Sequence, residues 1–271
     1  MAHTKPERGT ESGRWEGGRS GDFSGSRPGR EEMFGFEEEV ARVPTESLNP
    51  VMATVLASSS VVAEEFRVLR SRVRAVGEER PFRCVGILSG ASGEGKTTVS
   101  IGLALAMAHE PGCRVLVIEA DLRRPSLDAR LELPRADGLG EWLESKSATI
   151  PVRRVMPYGF SLLSAGRSSW ERPEMLGSTR MARLLEAARQ SFDFIVVDCP
   201  PLAPVADSVM LQDMVDGFLL VVRARHSPSE VILRALSRLK EDRIQGVVFN
   251  AHKSVLPKYY NDERYGYAPG R

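Results

Sequence analysis

Gly90, Gly95, Lys96 and Thr97 match the spacing G-x-x-x-x-G-K-[ST]. Glycines let a backbone curl around phosphates without Cβ clashes. Successive N–H groups at a helix N-terminus then present partial positive charge to the anion. Gly90, Ser92, Gly93, Glu94, Gly95, Lys96, Thr97 and Thr98 therefore form a candidate nucleotide cradle. In it, Lys96 would reach the β- and γ-phosphates of ATP and Thr97 would ligate Mg²⁺. Position supports the motif: an apolar run, FRCVGILS, precedes the loop, and a helix-like run, TTVSIGLALAMAHE, follows it.

Such a loop needs acidic groups for the metal and for the nucleophile. Asp198 ends the apolar run FDFIVVDCPP, so it falls at the sheet edge where ligands of parallel α/β folds bind. It is expected to hold Mg²⁺ directly or through water. Glu119 and Asp121 close a second run, VLVIEADLRRP, with Arg123 and Arg124 after them. Alternation along an extended strand would point both carboxylates the same way. Together with the arginines they make a cation-and-phosphate locus.

The elements that must carry these residues are legible as well. Val62, Phe66, Leu69 and Val73 recur at helical spacing. Apolar strands then alternate with helices through GFLLVVRA, SEVILRALSRLKE and GVVFN. This alternation predicts an α/β fold of the P-loop NTPase type, a mostly parallel sheet flanked by helices on both faces. Residues 1–45 read as a disordered Gly/Ser/Arg-rich leader, 46–257 as the P-loop NTPase domain and 258–271 as a mobile, tyrosine-rich tail.

Composition narrows the function. A net charge of +1 over 271 residues leaves no basic excess for nucleic acid, and none is expected as a partner. The three cysteines, Cys84, Cys113 and Cys199, lack metal-ligand spacing and suit a reducing compartment. The weakly polar stretch from Val51 to Ala63 is too short for a bilayer. The four histidines, His3, His109, His226 and His252, show no triad or metal pattern. A cytoplasmic chain is the expectation, held at the inner face of a membrane only through a partner.

From about Ser60 onward the chain resembles the bacterial tyrosine kinases, P-loop proteins that control capsule and exopolysaccharide synthesis. The loop GASGEGKTT, the motif VIEADLRRP and the motif IVVDCPP occur in that family's order, and ERPEMLGSTRM resembles its segment before the last of them. The resemblance implies an autophosphorylating kinase using ATP and Mg²⁺. Lys96, Glu119, Asp121, Arg123 and Asp198 would be its catalytic set, with Thr97, Asp121 and Asp198 on the metal. It implies that Asn250 contacts the adenine, and that Glu64, Arg67 and Arg70 meet a neighbouring subunit in a ring or other homo-oligomer. Tyr259, Tyr260, Tyr265 and Tyr267 fall in the last thirteen residues and resemble the family's acceptor cluster, phosphorylated in trans. Implied partners are a membrane-embedded polysaccharide co-polymerase or modulator and a cognate tyrosine phosphatase.

The family's second acidic motif usually begins with aspartate where this chain has Glu119. A displacement of about 1 Å costs on the order of 100-fold in rate, so the longer side chain is expected to affect turnover more than MgATP binding. Two other readings follow. One is a catalytically weak ATP-binding regulator of a polysaccharide export complex. The other is a partition or division-site ATPase, against which stands Ala91, where those proteins carry an extra lysine.

Overall fold

A computed structural model describes residues 34–167, 173–203 and 207–252. The chain opens with strand β1 (Gly35–Arg42) and helices α1 (Pro50–Leu56) and α2 (Val61–Glu79). The phosphate loop lies between β2 (Cys84–Ser89) and α3 (Lys96–Ala108). Next come β3 (Val115–Glu119), the short helices α4 (Leu127–Arg130) and α5 (Leu139–Glu144), and the pair β4 (Thr149–Met156) and β5 (Phe160–Leu163). Then follow α6 (Thr179–Ser191), β6 (Phe194–Asp198), β7 (Gly217–Arg223), α7 (Ser229–Leu236) and β8 (Ile244–Asn250).

The strands form one sheet in the order β1-β4-β5-β3-β6-β2-β7-β8. Only β4 against β5 is antiparallel; β1 lies parallel to β4, so these two run against the other six. Strands β2, β3 and β6 are buried along their whole length, as a sheet covered on both faces requires. Val85 and Ile87 face α1 to α4, whereas Cys84 and Leu88 face α5 and α6. The expected α/β architecture is thus observed.

Two features depart from the sequence expectation. Residues 35–42, assigned above to the leader, form β1, with Gly35 paired to Thr149 and Arg42 to Met156. The acidic run Glu37–Glu39 concealed this, because an edge strand tolerates charge that a central strand does not. The segment before α6, where the sequence reading named no strand, holds β4 and β5, whose short runs give little periodicity. The leader before residue 34 and the tyrosine-rich tail lie outside the described residues.

Helix α3 runs through the middle of the fold with most of its residues buried. Helix α2 starts at a cap in which the Ser60 hydroxyl accepts the Ala63 N–H at 3.0 Å. It packs on α3 through Phe66, where a Cβ on Gly102 would lie 2.2 Å from the ring. Among the described residues, no helix is long and apolar enough to cross a membrane.

Candidate nucleotide and phosphoryl-transfer site

Five parallel strands end together: Ser89, Glu119, Asp198, Arg223 and Asn250 are the last residues of β2, β3, β6, β7 and β8. This edge carries an open cavity of about 780 Å³. Its walls include Ser92, Gly93, Gly95, Lys96, Thr97 and Thr98 of the loop, with Asp121, Arg124, Ser126 and Arg130 beside them. Val51, Val55, Val62 and Phe66 add an apolar side, while Arg223, Asn250 and Ala251 close the rim.

The loop has the conformation that phosphate binding requires. Gly95 sits at φ 98° immediately before α3, and a Cβ there would come within 2.0 Å of Asn250 Nδ2. The Asn250 amide instead donates to the Glu94 carbonyl at 2.8 Å. Glu94 is fully buried, and its Oε2 accepts the Gly90 N–H at 3.1 Å. Two further braces had no sequence signal. Arg223 donates to the Gly93 carbonyl at 3.2 Å, and His226 Nε2 lies 3.0 Å from the Ser92 carbonyl.

Asp198 is buried, with one oxygen accepting the Thr97 hydroxyl at 2.7 Å and the other the Ser100 hydroxyl at 3.0 Å. Burial pushes its carboxyl up to about 6, against the opposing pull of Thr97 and Lys96. Lys96 is itself only 7% exposed. Thr97 Oγ1 also lies 3.1 Å from Ser126 Oγ. Among the described residues, no group of three His, Cys, Asp or Glu side chains could hold a metal by itself. Hard oxygen donors such as Thr97, Asp198 and Asp121 instead fit Mg²⁺, which takes one or two carboxylates and completes its shell with water and phosphate oxygens.

Glu119 and Asp121 part company. The strand ends at Glu119, so the alternation that would have set them side by side does not continue. Glu119 Oε1 accepts the N–H groups of Ser126 and Leu127, the latter at 2.7 Å, and Oε2 accepts that of Ala165 at 3.1 Å. Burial nevertheless pushes this carboxyl up to about 7. Asp121 turns to the cavity and accepts the Arg124 N–H at 3.2 Å. Desolvation also raises its carboxyl above the ordinary value.

The two arginines also diverge. Arg123, which the resemblance places in the catalytic set, is paired with the buried carboxylate of Asp207 at 2.6 Å, while Arg124 lines the cavity. On α2, the Glu64 and Arg67 side chains form an exposed ion pair with each other. Arg70 turns inward to the Ala106 carbonyl at 2.9 Å and to Glu110 at 3.3 Å. Tyr259, Tyr260, Tyr265 and Tyr267 lie outside the described residues.

A phosphate loop between the first central strand and its helix, faced by a strand-end aspartate bonded to the loop threonine, defines a P-loop NTPase. A family model described as "ParA: NUBPL iron-transfer P-loop NTPase" matches residues 82–265. The chain is 30% identical over 211 residues to the tyrosine-protein kinase YwqD of Bacillus subtilis (strain 168), covering 77% of this chain and 86% of that one. It is 31% identical over 210 residues to the succinoglycan biosynthesis transport protein ExoP of Rhizobium meliloti (strain 1021), but these span only 27% of ExoP. The solved kinase domain of the Escherichia coli tyrosine kinase ETK superposes with a TM-score of 0.67 at 25% identity, over 83% of this chain and 86% of that domain. The chain belongs to the bacterial tyrosine kinase family within the ParA-type P-loop NTPases.

Proposed function

We propose that this chain is an ATP-dependent protein tyrosine kinase. It phosphorylates Tyr259, Tyr260, Tyr265 and Tyr267 in the tail of a neighbouring copy, and through that cycle regulates exopolysaccharide or capsule synthesis or export. The similarity to YwqD over most of that kinase's length carries the reading. The shared cavity of Lys96, Thr97 and Asp121 gives it a site.

Phosphoryl transfer relies on positioning and charge neutralisation. Backbone N–H groups of the loop and Lys96 would hold the β- and γ-phosphates. Thr97, Asp198 and Asp121 would hold Mg²⁺, which when bound neutralises charge on the phosphate oxygens. The acceptor phenol forms its new O–P bond as the bridging O–P bond to ADP breaks. A phenol has a pKa of about 10. Asp121, on the cavity wall, is the group proposed to take its proton. Glu119 acts as a positioning residue, because its bonds to the Ser126 and Leu127 amides set Ser126 beside Thr97. Asn250 is proposed to lie near the base, as the rim residue that also braces the loop.

The tail must reach another copy, which implies a homo-oligomer with Glu64 and Arg67 on the exposed side of α2 as contact residues. Each phosphate adds about −1.5 to −2 charges, so a fully modified tail should leave an anionic site and loosen the assembly. A membrane-embedded modulator is the proposed activator, in keeping with the similarity to ExoP, a succinoglycan biosynthesis transport protein. A cognate phosphatase would reset the cycle. In the regulator reading, Glu119 marks lost turnover.

The test is phosphotyrosine mapping on protein from its own cells, with Lys96→Met as control. Trypsin cuts after Lys258 and Arg264 and releases two tail peptides, 259–264 and 265–271. Phosphate that disappears in the variant supports the kinase. An unmodified tail in cells making polysaccharide supports the ATP-binding regulator instead.

A further inference from the structure

Arg130 occupies an unusual position. It ends α4, lines the cavity and is half-buried, yet its guanidinium has no acceptor among the described residues and its Nε is shielded from solvent. A buried donor without an acceptor is energetically disfavoured, so this guanidinium is suited to an anion entering the cavity. Arg124 lines the same wall. The phosphate loop has its own cations in Lys96 and Arg223.

The spacing indicates which anion. Ser126 marks the reaction locus, because its hydroxyl lies 3.1 Å from that of Thr97. Arg130 follows four residues later, about 6 Å along a helix. In an extended peptide, residues two apart are about 7 Å apart. In the tail, Asp262 lies two residues after Tyr260 and Glu263 two residues before Tyr265. Tyr260 placed beside Thr97, with the chain running on toward α4, would bring Asp262 to Arg130, and Tyr265 docked in the opposite polarity would bring Glu263 there.

We propose that Arg130, assisted by Arg124, recognises the carboxylates of Asp262 and Glu263 and so selects acidic sequence next to the acceptor tyrosine. This names the acceptor-recognition element of the kinase and rests on that reading.

The test measures binding, so it needs no turnover. A labelled peptide of residues 253–271 is titrated, with MgADP present, into the full chain bearing Asp262→Asn and Glu263→Gln, whose own tail then competes weakly. Arg130→Gln is expected to weaken binding about tenfold, the size of one charge-assisted hydrogen bond. A peptide with both acids neutralised is expected to bind about tenfold more weakly and to be insensitive to Arg130→Gln. Equal binding of the two peptides, or an equal loss for both in Arg130→Gln, overturns the proposal. So does a fall in MgADP affinity with peptide binding unchanged, which would assign Arg130 to the nucleotide. Absence of phosphotyrosine in the wild-type chain sinks the kinase reading alone, and the peptide titration still decides this one.

Discussion

Glu119 accepts the N–H of Ala165 at 3.1 Å with one oxygen while the other holds Leu127 at 2.7 Å, so a single carboxylate ties the end of β3 to both the start of α4 and the loop after β5. The family pattern has aspartate at this position. A side chain one methylene shorter draws the carboxylate back from these amides unless the backbone follows it. Glu119→Asp is therefore expected to destabilise the chain by about 1 kcal/mol. Glu119→Gln should destabilise it by about 1–3 kcal/mol, since its amide would face the Ala165 N–H donor to donor. Urea unfolding would measure both. Wild-type stability in both variants would show that the bridge is dispensable.

Asp198 holds Thr97 and Ser100 and lies near the buried Lys96. Asp198→Asn replaces an anionic acceptor with a neutral one and removes a carboxylate proposed above to hold Mg²⁺. MgATP affinity should fall on the order of 100-fold, or ~3 kcal/mol, with nucleotide binding in EDTA much less affected. Calorimetric titration with and without Mg²⁺ separates the two. An equal loss in both conditions would place Asp198's contribution in loop structure rather than on the metal.

Gly95 and Asn250 form a paired constraint. Gly95→Ala must adopt a φ of 98° and also pushes into the Asn250 amide. A loss of about 2–3 kcal/mol is expected, with MgATP binding abolished. Asn250→Ala alone loses two hydrogen bonds, the one donated to the Glu94 carbonyl and the exposed one accepted from the Ala251 N–H, about 1–2 kcal/mol together. The double variant removes the clash but keeps the backbone strain, so it should recover only part of the stability. Full recovery in thermal unfolding would mean that sterics, not φ, restrict the position.

The three cysteines should behave differently. Cys84 and Cys199 are fully buried and Cys113 is half-buried. Alkylation at neutral pH is expected to modify Cys113 alone until the chain unfolds, as intact-mass measurement would show. Burial pushes the Cys84 thiol up to about 12 from its ordinary 9.0. A thiol that keeps its proton longer when folded contributes stability that is complete below pH 9.0 and is lost as pH rises toward 12. Cys84→Ala should flatten that alkaline loss. An unchanged alkaline slope would point to other groups.

The amino-acid sequence alone determined the phosphate loop, the strand-end carboxylates and the alternating α/β pattern. These are local properties: a glycine loop must follow an apolar strand, and a buried strand must read as an unbroken apolar run. The tertiary structure decided what crosses the chain. It placed the acidic segment 35–42 at a sheet edge, where partner strand β4 supplies its hydrogen bonds. It sent Arg123 to Asp207 and turned Arg124 and Arg130 to the cavity, although the sequence placed Arg123 and Arg124 in one phosphate locus. It also brought His226 and Arg223 to the loop carbonyls from more than a hundred residues away. Side-chain direction beyond the last residue of a strand follows from which donors and acceptors packing brings near. For Glu119 those were three amides from two other segments, and no spacing within VLVIEADLRRP encodes them.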